Sequence, residues 1–368
     1  MWYRNCHAQS SVTIHINDCI ITGSSWVIIN KCKFLLNVCH SLTDLGPIHW
    51  ILGIEVTCIR DNCTIFLCQS SYIDMILHHF NLQNANASGS PMVPGATFNK
   101  SDSPSDASEA SFMAYQEAIG SLMYAAIATH PDIAFAVSYL SQFLENPGHT
   151  HWDATKWIFW YLAGMKQLSL TYGRESHDLM GYMDTDSVSQ PHCKAISSYA
   201  LLIDGRSVSW RPHKQELITL STTEAEYIAA THAAKEAVWL CNLLWEIFHS
   251  LDLPITLHCN NQSAIHLVSN NNYHARTKHI NIQYHFIWEM TQLRCIDLVY
   301  CPTDDMAANI LTKPLPKWKV FSHLLTLGLH STLRESDGIQ DTNGIGDALM
   351  CSSKVLPLGM PSQLLLTT

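Results

Sequence analysis

Asp184 and Glu226 are the two acids whose positions point to chemistry. Asp184 follows the β-rich run Leu179-Met-Gly-Tyr-Met183, so it stands at a strand end. Glu226 sits in a helix that opens at Ser221-Thr-Thr-Glu224. At about 100° per residue, Glu226 lies roughly 20° from Ala233, on the apolar stripe of Ala229, Ala233, Ala237, Leu240 and Leu244. Glu224 lies about 180° away and is explained as the acid of a capping box. A carboxylate aimed at a sheet loses hydration unless something positive meets it. A divalent metal ion would serve, with Asp184 as a second ligand from the same side. Taken singly, each acid has a plainer reading, since an Asp after a strand is more often a turn residue. A third position draws attention: Ile255-Thr-Leu-His-Cys259 runs into Asn260 and Asn261, and a helix begins at once. Such strand-to-helix corners are where open α/β sheets bind ligands. This one carries no acid.

Composition narrows the function classes. Charged residues are 14% of the 368, against about 25% in ordinary soluble proteins, and 47% are hydrophobic. Lys plus Arg number 21, no more than the histidines, and the net charge is -10. Diffuse polyanion binding is thereby disfavoured, because nucleic-acid affinity rests on Lys and Arg neutralising phosphates; a local basic face is still open. The 13 cysteines are scattered without a CxxC pair, which argues against structural zinc and for a reduced, intracellular chain. The N-terminus lacks a signal-peptide core, and no run approaches the ~18 to 20 apolar residues of a membrane span.

The elements that would position these acids follow from local patterning. Val12 to Ile21 reads as a hairpin turning at Asn17-Asp18, and Trp50 to Cys58 and Cys63 to Leu67 read as strands. Ser71 to Phe80 has helical spacing, with Tyr72, Met75, Ile76 and His79 on one side. Asn84 to Ser108 reads as a linker, followed by helices over 111–123, 132–143 and 152–162. After Leu179 come a strand, a hairpin turning at Asp204-Gly205, the long helix, the corner, a polar loop from Ser269 to Lys278, a helix over 280–293, a strand over 296–300 and a short helix from Asp304-Asp305. Antiparallel strands followed by βα units predict a mixed sheet with helices packed on it.

Six stretches carry a resemblance. Leu45-Gly-Pro-Ile-His-Trp-Ile-Leu-Gly-Ile-Glu55, Gln69-Ser-Ser-Tyr72, Gly120-Ser-Leu-Met-Tyr124 with Thr129-His-Pro-Asp132, Leu220-Ser-Thr-Thr-Glu-Ala-Glu-Tyr227, Thr277-Lys-His-Ile280 and Ile310-Leu-Thr-Lys313 resemble segments of copia-type LTR-retrotransposon Pol polyproteins. The match runs from Val12 to about Leu329 and covers the end of reverse transcriptase and then ribonuclease H. It implies an α/β, mixed α+β architecture: a ribonuclease-H-like mixed sheet flanked by helices, preceded by a truncated reverse-transcriptase palm and thumb remnant. The implied division is a palm remnant and linker over 1–100, a helical thumb or connection remnant over 101–173, the ribonuclease-H-like domain over 174–316, a C-terminal helix over 317–330 and a tail without structure over 331–368.

The family's ribonuclease H holds two Mg²⁺ ions with four carboxylates and cuts the RNA strand of an RNA–DNA hybrid. Carried over, the first ligand falls on Asp184 and the helix ligand on Glu226. The third and fourth fall on Asn260 and Asn309, where the family has Asp. An Asn can offer its carbonyl oxygen but no charge. Asp186 and Asp305 are weak substitutes; Asp305 reads better as a helix cap. In the polymerase hairpin, His15-Ile-Asn-Asp18 stands where the family has a YVDD-like motif, so Asn17 replaces one catalytic acid and only Asp18 is kept. The other palm acid lies before the first residue.

The resemblance therefore implies a retrotransposon polyprotein fragment whose ancestral role is reverse transcription with ribonuclease H cleavage, catalytically inactive in this copy. Asn at 17, 260, 281 and 309, His130, Trp157, Trp160, Cys241 and Gln283 are each one C-to-T or G-to-A transition from the family residue, the pattern of a decaying, silenced copy. Two alternatives remain: a residual metal-dependent ribonuclease H using Asp184 and Glu226, and a non-catalytic or domesticated nucleic-acid-binding module in which Lys214, Arg276 and Lys278 touch phosphates. The implied partner is an RNA–DNA hybrid and the implied compartment a cytoplasmic particle or the nucleus, with no membrane.

Overall fold

A computed structural model of the chain describes residues 3–5, 8–16, 18–104, 109–173, 178–186, 194–216, 218–219, 221–248, 253–269, 281–331 and 363–367. Asn17, Arg276, Lys278 and the Thr277–Ile280 stretch lie outside them. The chain divides into two compact units, 1–68 with 331–368, and 69–330. Neither 100 nor 173 marks a boundary of this division.

In the first unit, β1 (Tyr3–Asn5), β2 (Ala8–His15) and β3 (Asp18–Gly23) form an antiparallel meander, and α1 (Trp26–Cys39) buries Ile29 against Val12, Cys19 and Ile21. β4 (Asp44–Pro47) follows. The single strand expected over 50–58 is instead β5 (Trp50–Ile51) and β6 (Ile54–Ile59), because Leu52 and Gly53 both take positive φ and close a two-residue hairpin. β7 (Thr64–Cys68) pairs with β6. Residues 332–362 of the expected tail are not described, but Gln363–Thr367 is a strand, β15, inserted between β3 and β4. The apolar run Leu364-Leu-Leu366 suits a strand, so the structureless-tail expectation fails for these five residues.

The second unit opens with α2 (Ser70–His79), α3 (Glu109–Ala128), α4 (Pro131–Leu140) and α5 (His149–Met165). α2 buries Ile73, Ile76 and Leu77 and leaves Met75 58% exposed, so its inner face is rotated from the one expected. His130, in place of the family's Arg, is buried with Nδ1 3.2 Å from Asp132 Oδ1, while the Tyr161 hydroxyl donates to Asp132 Oδ2 at 2.7 Å. β8 (Leu168–Tyr172) and β14 (Leu329–Ser331) pair at one side.

The mixed sheet follows. β9 (Leu179–Asp186), β10 (Ile196–Ile203) and β11 (Arg206–Lys214) are antiparallel, while β12 (Ile255–Cys259) and β13 (Ile296–Tyr300) are parallel additions, giving the order β11-β10-β9-β12-β13. α6 (Thr222–Phe248) lies on it with α7 (Gln262–Ser269) and α8 (Asn281–Gln292), and α9 (Lys317–Thr326) closes the unit. This is the fold class expected. Asp305 does not cap the short helix after β13: that element is a 3-10 turn, Ala307–Leu311, whose N-cap is Met306, with no side-chain capping bond. Among the described residues no helix is long and apolar enough to cross a membrane.

Gly181 lies opposite Leu201 on β10 and Leu257 on β12. A Cβ there would come within 2.5 Å of Leu201 Cδ2 and 2.9 Å of Leu257 Cδ2, so the glycine lets the two leucines close over β9. Both are fully buried against the alanine stripe of α6. Leu257→Ala is expected to lower unfolding stability by about 3 kcal/mol in urea titration, from lost transfer energy and the cavity left behind. A change under ~1 kcal/mol would show that this layer is loosely packed.

Candidate metal centre

β9 delivers Asp184 to the edge of the core, where it is fully buried. Its partners come from two distant parts of the chain. The Asn260 side-chain amide donates to Oδ1 at 2.8 Å, the Thr312 hydroxyl donates to Oδ2 at 2.6 Å, and Lys313 Nζ stands 3.7 Å from the same oxygen. Asn260 is aimed by its corner: Asn261 Oδ1 accepts the Ala264 N–H at 3.1 Å and so caps α7. The short turn that carries Asn309 is tied to β10 by Ser198, whose hydroxyl donates to the Ala308 carbonyl at 3.1 Å.

Glu226 enters from α6, 5% exposed on the stripe that faces the sheet. Burial, and then repulsion from Asp184, push its pKa up to about 8; hydrogen bonds from Thr185 and the charge of Lys313 oppose this only in part. Burial also raises the pKa of Asp184 against the pull of Lys313, Thr312 and Asn260, with Asp186 adding like charge. Asn309 is buried, donates through Nδ2 to the Thr303 carbonyl at 2.6 Å, and accepts the Thr312 backbone N–H through its own backbone carbonyl at 3.2 Å. Among the described residues, its Oδ1 and Glu226 Oε2 have no hydrogen-bond partner.

Asp184, Glu226, Asn260 and Asn309 thus lie in one hydrogen-bonded and electrostatic cluster, and Asp18 lies in the first unit at the start of β3, opposite His15. The cluster does not fit a pair of divalent cations. Both Asp184 oxygens already accept protein hydrogen bonds, Asn260 presents N–H rather than oxygen, and burial favours the protonated form of Glu226. Asp184 itself faces Lys313. Mg²⁺ needs anionic oxygens in a tight shell. Among the described residues no group of three or more His, Cys, Asp and Glu is placed to hold a metal ion.

Residues 1–94 match the family model described as reverse transcriptase (RNA-dependent DNA polymerase). The chain is 38% identical over 323 residues to the retrovirus-related Pol polyprotein from transposon TNT 1-94 of Nicotiana tabacum, covering 86% of this chain and 24% of that protein. It is 32% identical over 308 residues to the corresponding polyprotein from transposon RE1 of Arabidopsis thaliana, covering 83% and 20%. The chain belongs to the copia-type Pol family. It spans about a quarter or less of the length of these relatives. Among solved structures, LC11-RNase H1 in complex with an RNA/DNA hybrid aligns with 37% of this chain and 94% of its own at 14% identity, with a TM-score of 0.29, a likeness too slight to add to the topology.

Within this copia-type chain, sequence reasoning did not assign roles to Thr185, Thr312 or Lys313. Thr312 and Lys313 lie in the Ile310-Leu-Thr-Lys313 stretch, three and four residues beyond Asn309. That spacing was the available signal. It shows a shared turn, but not that a hydroxyl and an ammonium group turn back onto Asp184.

Proposed function

We propose that the module built on β9–β13 and α6–α8 is a ribonuclease-H-like domain that engages an RNA–DNA hybrid without cutting it, and that the first unit is a palm remnant without a polymerase site. One contact carries the reading: the Asn260 amide donates to Asp184 Oδ1 at 2.8 Å, where a catalytic site needs a second carboxylate. An N–H aimed at the ligand oxygen competes with a cation for the same lone pair, and the amide brings no charge to offset the metal. Lys313 and the raised pKa of Glu226 act in the same direction. The polymerase side keeps one acid at this hairpin, Asp18, where a two-metal transfer needs several.

Mn²⁺ followed by electron paramagnetic resonance tests the reading, because bound Mn²⁺ loses the sharp signal of the free ion. The full chain is expected to leave that signal undiminished at one and two equivalents. Stoichiometric loss of signal that disappears in Glu226→Gln would overturn it.

A further inference from the structure

We propose that Lys100, Lys194 and Lys214 form a cleft that holds a phosphate of a nucleic-acid backbone passing along the Asp184 end of the sheet. The site deepens the reading above and rests on it.

The cleft is built from two sides. On the sheet side, the Gln215 N–H donates to the Ala195 carbonyl at 2.8 Å, so the chain entering β10 and the chain leaving β11 are fastened together, with Lys194 and Lys214 beside the fastening. On the helical side, the Ser103 hydroxyl donates to the Asn146 carbonyl at 2.5 Å, and Asn146 Nδ2 donates to the Pro104 carbonyl at 3.1 Å. These bonds hold the turn carrying Lys100 against the segment after α4. Between them is a cavity of about 110 Å³ lined by Lys100, Ser103, Gln142, Phe143, Glu145 and Asn146. Lys214 Nζ reaches it by donating to Gln142 Oε1 at 2.7 Å.

The charges in this cleft are unbalanced. Among the described residues none of the three lysines is in an ion pair, although the net charge of the chain is -10. Burial and then the neighbouring Lys194 and Lys100 ammonium groups lower the pKa of Lys214, as expected of like charges held together without an anion. The lining offers one carboxylate, Glu145, against the three ammonium groups, and the side-chain amides of Gln142 and Asn146 bring N–H groups of the kind that donate to oxyanions. Position selects a backbone phosphate over a free one. Lys214 is in register with Ile196, which is in register with Asp186, so the cleft stands two strands, or roughly 10 Å, from the β9 end that carries Asp184. A hybrid lying over Asp184 would pass it.

The test measures binding of the full chain to a short RNA–DNA hybrid by fluorescence anisotropy between about 50 and 200 mM salt, for the parent, Lys100→Gln/Lys214→Gln and, as a milder second variant, Lys194→Gln. The double variant is expected to bind about tenfold more weakly, with the log–log salt slope shallower by about 1; Lys194→Gln should shift both in the same direction. If the parent binds and both variants keep its affinity and slope, the cleft is wrong and the hybrid-binding reading stands. If the parent binds no hybrid, the reading and the cleft fall together. Inorganic phosphate forms the second arm: saturable binding of phosphate that leaves hybrid affinity untouched would make this a free-anion site and overturn the proposal.

Discussion

Returning aspartate to positions 260 and 309 together is expected to create metal-dependent cleavage of the RNA strand in an RNA–DNA hybrid, where the proposed function expects none from the unaltered chain. Position 260 should contribute most, since Asn260→Asp removes the N–H that occupies Asp184 Oδ1 and puts a second carboxylate beside it. Two unsaturated oxygens, Glu226 Oε2 and Asn309 Oδ1, already lie buried at the site, so the gain needs charge rather than new architecture. Stabilising the charge of a transition state with bound metal contributes several kcal/mol, which at about 1.4 kcal/mol per decade gives roughly a thousandfold or more in rate. Either single substitution should fall well short of the double. The measurement is denaturing electrophoresis of a labelled hybrid with Mg²⁺ or Mn²⁺, with Glu226→Gln added to the double variant as the control. Cleavage by the unaltered chain that Glu226→Gln abolishes would contradict the inactive assignment outright.

Glu226→Gln in the otherwise unaltered chain should make it more stable in alkali. The folded pKa is raised from 4.5 to about 8, so between these values the folded chain keeps a proton that the unfolded chain has released. Protons bound in excess by the folded state make stability fall as pH rises. The favourable contribution is complete below about pH 4.5, declines through the interval, and is gone above about pH 8. The shift corresponds to an upper limit of about 5 kcal/mol. Urea unfolding of the two proteins at pH 5, 7 and 9 separates this group from all others that titrate. The difference in favour of glutamine should grow from pH 5 to pH 9. A constant difference would mean that Glu226 is charged in the folded chain at neutral pH, which would also weaken the metal-free account.

The mixed sheet was legible because its signals are local. Asp204-Gly205 takes positive φ at both residues and closes the β10–β11 hairpin, and the alanine stripe of α6 keeps one face through its buried length. Glu226 was legible for the same reason, as a charge on an apolar face. Other features depend on tertiary choice. Leu52-Gly53 turns a strand-like run into a hairpin, and α2 buries Ile73 and Leu77 rather than Met75, because its packing partners, not its own spacing, select the inner face. The lysine cleft was only partly visible: Lys214 stood out as a phosphate contact, but its neighbours Lys100 and Lys194 are 114 and 20 positions away and meet it only once the sheet and helices are joined. Likewise no spacing rule announces that Thr312 donates to Asp184.

The bonds around Asp184 have a bearing on how such a chain persists. In a working hydrolase of this design, metal ions are the cross-link among a strand, a strand-to-helix corner and a late turn. Here an amide and a hydroxyl join the same three segments through one aspartate. These two bonds hold the segments together without calling on a bound ion. Further substitutions around Asp184 are then filtered by whether they keep this hydrogen-bonded fastening, so the shape of the domain can be retained independently of any reaction.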